Sequence, residues 1–190
     1  MRKFYIVQVF ILVVFGLSLS ACAPQAAPVT YKTVSVGTLK AGNTVPAPSG
    51  PVLLTMDGAI SQKNVGETLQ FDMATLESIG LIQYKLTDTA EKSSIMYTGV
   101  LMSELLKVAG VDTKATTLSL WALDDYSADM KIADVTKWPI MIATQADGAY
   151  MPLDKKGPLF SILPFDDFPE IDHLTYDNQA VWALAKITVK

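Results

Sequence analysis

The sequence predicts an α+β domain, mostly strand with a few short helices, and three observations carry that reading. From Val52 onward the hydrophobic period switches repeatedly between two and about 3.6 residues. Gly, Pro and Asp turn residues separate the segments. Half of the 190 residues are apolar and 18% are charged, with 11 Gly and 10 Pro, the balance of an ordinary globular chain rather than a disordered or collagen-like one.

The elements follow in order. Val52 to Met56 and Thr68 to Phe71 read as short strands. Asp72 is an N-cap for a short helix over Met73 to Ile79, which Gly80 ends. Leu81 to Thr87 alternates as a strand. Val100, Leu101, Leu105, Leu106 and Val108 recur at helical spacing up to Gly110, the best helix in the chain. Thr117 to Leu123 is a strand that runs into the polar turn Asp124-Asp125-Tyr126-Ser127. Ile140 to Thr144 is a strand closed by the hairpin-type turn Asp147-Gly148. Leu159 to Leu163 and Ala183 to Val189 complete the set.

The N-terminal end predicts export. Arg2 and Lys3 precede the apolar stretch Phe4 to Leu19, which falls short of a membrane-spanning length and is interrupted at Gly16 and Ser18. The only cysteine is Cys22, in Leu19-Ser20-Ala21-Cys22, and this resembles the bacterial lipoprotein signal, in which the Cys sulfur is acylated before cleavage. The alternative is a plain secretory signal. The expected organisation is a leader over residues 1–21, a tether over 22–51 and a domain over 52–190. The tether is expected because Ala-Pro-Gln-Ala-Ala-Pro and Val45-Pro46-Ala47-Pro48-Ser49-Gly50-Pro51 bury too little apolar area to offset their ordering entropy. With Cys22 acylated, the domain has no thiol, so a Cys nucleophile, a Cys-ligated metal and a redox disulfide are excluded. The protein is then expected on a membrane, facing the periplasm or the cell exterior.

Charge excludes other classes. Without Arg2 and Lys3, 13 basic and 19 acidic side chains remain, about six net negative charges and no basic cluster. Nucleic acid is therefore not an expected ligand, since its affinity comes mostly from counterion release by Lys and Arg. His173 is the sole histidine, so neither an imidazole metal site nor a Ser-His-Asp triad is expected. Asp166-Asp167 lacks the odd-position array of oxygens that a calcium loop requires. Trp121, within a strand, and Trp138, beside Pro139, read as structural.

The order of the pieces is informative as a whole: Tyr97-x-Gly99, the helix Leu101 to Ala109, Ala122-Leu123-Asp124-Asp125-Tyr126, Ile142-Ala143 with Asp147-Gly148, Gly157-Pro158-Leu159 with Pro164, then Val181-Trp182 before the last strand. Over roughly residues 68 to 190 this resembles the molybdopterin-binding domain of the sulfite-oxidase type. It is most similar to a branch of small exported proteins with Gly-Pro-Leu after Lys-Gly and Val-Trp before the last strand. The resemblance implies a β-rich mixed-sheet fold with a pterin pocket lined by loops.

Two departures accompany the resemblance. Enzymes of this type carry a molybdenum-ligating Cys after an early strand, where this chain reads Tyr84-Lys85-Leu86-Thr87-Asp88-Thr89. They also place an Arg after the Gly-Pro pair to bind the cofactor's phosphate bidentately, where this chain has Leu159-Phe160-Ser161. The expected cofactor is thus an unphosphorylated pterin without molybdenum. A flat pterin takes an aromatic face, for which Tyr126, Trp182 and Phe160 are candidates. Its amino-pyrimidine edge presents two donors to one carboxylate, for which Asp88, Asp124 and Asp125 are candidates, and the resemblance favours Asp125-Tyr126. Core packing explains Trp182, and turn chemistry explains the Asp pair, equally well at this stage.

Three functional classes follow: a tethered pterin-binding module acting on a membrane sensor protein, a molybdopterin-dependent oxidoreductase subunit, or an interaction lipoprotein with no ligand. The resemblance implies a partner among sensor enzymes of cyclic di-GMP signalling for the first. The missing Cys and Arg disfavour the second.

Overall fold

The computed structural model describes residues 31–88 and 92–190, with Asp88 described through its backbone alone. The leader, Cys22 and the tether as far as residue 30 lie outside the described residues. In chain order the elements are β1 Lys32–Val36, β2 Leu54–Gly58, β3 Leu69–Phe71, α1 Met73–Glu77, β4 Gly80–Asp88, β5 Ser93–Leu101, α2 Met102–Ala109, β6 Thr117–Ala122, β7 Ser127–Lys131, α3 Ile132–Lys137, β8 Met141–Ala146, β9 Ala149–Tyr150, β10 Phe160–Ile162, α4 His173–Tyr176 and β11 Leu184–Val189. They form two sheets, ordered β1-β4-β5-β8-β10, with β9 paired to β8, and β3-β2-β11-β6-β7. Every strand pair is antiparallel except β11 with β2. Mixed sheets with few short helices are the α+β class that the alternating periods predict.

The main core lies between the sheets and helices. Leu54, Met56, Leu69 and Phe71 share one face of the second sheet with Leu118, Leu120, Ile187 and Val189, all essentially without exposure. Helix α2 adds Met102, Leu105, Leu106 and Val108, and ends at Gly110, whose φ of 62° is the left-handed conformation that glycine adopts at least cost. A second cluster, including Ile82, Tyr84, Tyr97, Met141, Met151 and Phe160, is separate from this core, and it underlies the site described below.

The structure alters several sequence expectations. Residues 31–51 are not a free spacer. β1 pairs with β4, Leu39 and Val45 are buried in the core, and the backbone N–H groups of Ser49 and Gly50 donate to Asp72 at 2.8 and 2.9 Å. Val100 and Leu101 belong to β5 rather than to the helix, because Gly99 to Leu101 pairs with Met141 to Ala143. A Cβ on Gly99 would stand 2.1 Å from the carbonyl oxygen of Ile142, so this close strand crossing needs glycine. β7 and α3 have too few periodic positions to have been legible. Asp72 caps α1 as expected, accepting from Thr75 N–H at 2.8 Å. Trp138 is buried, with its Nε1–H donating to Glu170; Trp121, in β6, is partly exposed.

Candidate functional site

Strand β5 and the β8–β9 hairpin bring one wall of a cavity of about 940 Å³ into place. Ile95 and Tyr97, two residues apart on β5, line it together, with Ala146 paired opposite Tyr97. The hairpin turns at Asp147-Gly148, both at positive φ (49° and 81°), as a two-residue turn between right-twisted strands requires. It delivers Met151, and the chain then makes a 3-10 turn over Leu153–Lys155 that puts Leu153, Asp154, Lys155 and Lys156 along the cavity. Leu123 and Asp124 from the β6–β7 turn, and Trp182 and Ala183 before β11, close it.

Backbone bonds stitch these distant segments together. Ala183 N–H donates to Lys156 C=O at 3.0 Å, Leu123 N–H to Ala183 C=O at 3.0 Å, and Gly157 N–H to Pro152 C=O at 3.0 Å. Gly157 cannot carry a side chain here, since a Cβ would stand 1.9 Å from the carbonyl oxygen of Met151. Among the described residues five non-glycine residues have positive φ; Lys156 (67°) and Ala183 (47°) line the cavity, and Asp125 (65°) and Asp147 (49°) sit in its flanking turns. Such conformations cost of order 1–3 kcal/mol each and gather at functional sites.

The wall is aromatic. Tyr97 meets Phe160 edge-on with centroids 5.9 Å apart, and Phe160 meets Trp182 edge-on at 6.3 Å. The Lys156 Nζ lies 4.9 Å from the Trp182 ring centroid and 5.7 Å from that of Phe160. A smaller cavity of about 250 Å³ shares Trp182 and Asp124 with the large one and adds Ala122, Tyr126 and Ala180. Asp124 Oδ1 accepts from Tyr126 N–H at 3.1 Å, and the Tyr126 hydroxyl donates to Asn178 C=O at 2.8 Å.

The residues singled out in the sequence are distributed as follows. Trp182 is 55% exposed and walls both cavities, which resolves the choice between core packing and pocket lining. Phe160 is buried beneath it. Tyr126 lines only the smaller cavity. Asp124 lines both, whereas Asp125 is exposed at the left-handed position of the turn and lines neither. Asp88 is in the last backbone pair of β4, opposite Ser93, and its side chain lies outside the described residues. His173 bonds Asp177 at 2.7 Å and stacks on Phe165. Asp166 accepts from the N–H and hydroxyl of Thr87, each at 2.8 Å. No group of three or more His, Cys, Asp or Glu among the described residues is placed to hold a metal. Sequence reasoning missed Tyr97, Met151 and the pair Lys155-Lys156. The lysine pair was findable, since it directly precedes Gly157-Pro158.

Comparisons with known proteins bear on the family and the fold. The family model described as the oxidoreductase molybdopterin-binding domain matches residues 61–165. A solved structure, the sulfane dehydrogenase SoxCD from Paracoccus pantotrophus, is similar in fold at a TM-score of 0.54 and 16% identity, over 72% of this chain and 37% of that one. This chain therefore spans well under half of that relative. No curated protein matches the chain.

Proposed function

The chain belongs to the oxidoreductase molybdopterin-binding domain family, and from that premise we propose that it is a pterin-binding module without molybdenum chemistry, exported and held on a membrane through Cys22. The observation that carries this is Trp182, an exposed indole that walls both cavities beside the carboxylate of Asp124. An exposed aromatic face offers stacking to a flat heterocycle, and a neighbouring carboxylate accepts from its donor edge.

The donor set does not fit the metal. A thiolate-ligated molybdenum needs a protein thiolate, and the only cysteine is Cys22, which precedes the domain and is the expected site of acylation. Where β4 replaces the ligand-bearing segment, Tyr84 is buried with its hydroxyl donating to Ile162 C=O, and Thr87 bonds Asp166. The position after Gly157-Pro158-Leu159 holds Phe160, packed edge-on under Trp182 rather than presenting a guanidinium. The heterocycle retains its aromatic wall, its carboxylate and a cavity near the upper end of the roughly 300–1,000 Å³ typical of small-molecule sites.

In this reading the module is a non-catalytic sensor that reports ligand occupancy to a membrane partner, such as a sensor enzyme of cyclic di-GMP signalling. The test is calorimetric titration of tetrahydrobiopterin into the wild-type protein and Trp182→Ala. Saturable binding that weakens by about two- to twelvefold in the variant is expected, as loss of stacking beyond area burial contributes about 0.5–1.5 kcal/mol and each 1.4 kcal/mol is tenfold. No heat from this or any other reduced pterin leaves an interaction lipoprotein as the better reading.

A further inference from the structure

The chain enters the folded domain at the end that carries the large cavity. Lys32 pairs with Gln83, Gln83 with Thr98, and Thr98 with Gln145, the neighbour of the wall residue Ala146. The start of β1 is therefore three strand spacings, about 14 Å, from that wall. Tyr31 packs against the same apolar cluster as Tyr97, Met151 and Phe160, which underlies the cavity. Around the mouth, three apolar side chains from three different loops stand in solvent: Leu123, Leu153 and Trp182, at 58%, 64% and 55% exposure. Building on the proposed acylation of Cys22, we infer that this end of the domain docks on the bilayer surface, with these three side chains seated among the lipid headgroups and the cavity mouth turned toward the membrane.

Chain length sets the orientation. Residues 31–51 are folded onto the domain, so only the nine residue steps from Cys22 to Tyr31 remain as a tether, at most about 32 Å when fully extended. Tyr31 to Lys190 comprise 160 residues. A domain of that size has a radius of gyration of about 15 Å and a breadth of about 40 Å, which the tether does not span. The opposite end is thereby held away from the lipid. β11 leads to it, running about 20 Å from Ala183 at the mouth to Val189, whose partner Gly58 precedes the loop that bears Val65. The chemistry of the near end agrees with the geometry, because leucine and tryptophan are side chains that enter the boundary between headgroups and acyl chains. The lining's two carboxylates, Asp124 and Asp154, balance its two ammonium groups, Lys155 and Lys156. The surface thus offers apolar contact to zwitterionic headgroups rather than attraction to anionic lipid. Because the anchor already holds the domain at the bilayer, a contact of a few side chains acts at high effective concentration. The cavity then lies where a membrane partner can read its occupancy.

The experiment reconstitutes the acylated protein into vesicles of phosphatidylcholine and phosphatidylethanolamine as Leu153→Cys, Leu123→Cys or Val65→Cys, each with a nitroxide on the introduced thiol. Acylated Cys22 does not compete for the label, and all three replaced side chains are exposed, so the core is left untouched. Electron paramagnetic resonance reads the depth of each label from its collisions with oxygen and with a nickel chelate. The Leu153→Cys and Leu123→Cys labels are expected about 5–10 Å into the headgroup–acyl boundary, with the Val65→Cys label in water. Labels in water at all three sites, on protein that floats with the vesicles, would overturn the docking and leave the anchorage intact. A Val65→Cys label as deep as the other two would overturn the orientation. Leu153→Cys and Leu123→Cys labels that stay in water on pure lipid but are shielded in native membranes would give the rim to a protein partner and overturn docking on lipid. Protein that does not float would overturn the anchored reading and this inference with it.

Discussion

Ala183 donates its backbone N–H to the carbonyl of Lys156 at 3.0 Å, and both residues hold positive φ while lining the same cavity. One bond thus joins the turn that carries the lysines to the segment that carries Trp182, although the two are 27 positions apart in sequence. Two strained non-glycine residues paired in this way make the site's shape a property of its loops, positioned by β8, β10 and β11 on either side.

Gly157 fixes the start of that arrangement. Gly157→Ala would drive a methyl group into the carbonyl of Met151, displacing the β8–β9 side of the cavity. Thermal denaturation should show a loss of about 1–3 kcal/mol, the usual cost of overpacking, together with weakened ligand binding.

The adjacent aspartates of the β6–β7 turn should behave differently. Asp124→Asn is expected to weaken pterin binding by about tenfold, because a buried donor left without its acceptor costs about 1–3 kcal/mol. Asp125→Gly should leave affinity unchanged and fold at least as well, since glycine relieves the left-handed φ of 65°. Titrations of the two variants side by side read out the difference, and circular dichroism checks folding.

Asp72 makes stability depend on pH. Its buried carboxylate accepts from the N–H groups of Thr75, Gly50 and Ser49, and the bond from Thr75 is the largest cause holding its pKa far below the ordinary 3.8. The folded state thus favours the ionised form. Its contribution is complete above the unfolded value near 3.8 and is lost as pH falls below it toward the folded value. Asp72→Ala should cost about 1–3 kcal/mol at neutral pH. Denaturant melts between pH 2 and 7 should show a shallower acid-side decline in Asp72→Ala than in the wild type.

Cys22→Ser should release the protein from the membrane fraction. A thioether-linked diacylglyceryl group supplies the two chains that stable anchoring needs. Cell fractionation checks this, and unchanged membrane association would contradict lipidation.

The sequence carried much of this architecture through periodicity. The strands that became β2, β3, β4, β6, β8, β10 and β11 were legible because their apolar positions recur against a buried face. β1 was not, because all five of its residues are exposed and only backbone pairing with β4 defines it. The same limit hid residues 31–51 as part of the domain: Leu39 and Val45 are single anchors in a Pro- and Gly-rich stretch. At the site, Trp182 and Phe160 were named from motif order, and the structure brings them into contact. Asp124 and Asp125 could not be separated by composition, because only the turn's backbone decides which one faces the cavity. Lys155 and Lys156 were not legible as site residues, because they precede the Gly-Pro pair whereas the arginine of the related enzymes follows it.

The proposed function requires that a pterin stack on Trp182. The most direct measurement is an amide and indole NMR spectrum of the protein, which has three tryptophans, recorded during titration with tetrahydrobiopterin. The indole N–H signal of Trp182 is expected to shift or broaden while that of Trp138, buried and bonded to Glu170, stays in place. Saturable binding with the Trp182 signal unmoved would contradict this site, and an unchanged spectrum at saturating pterin would contradict the function.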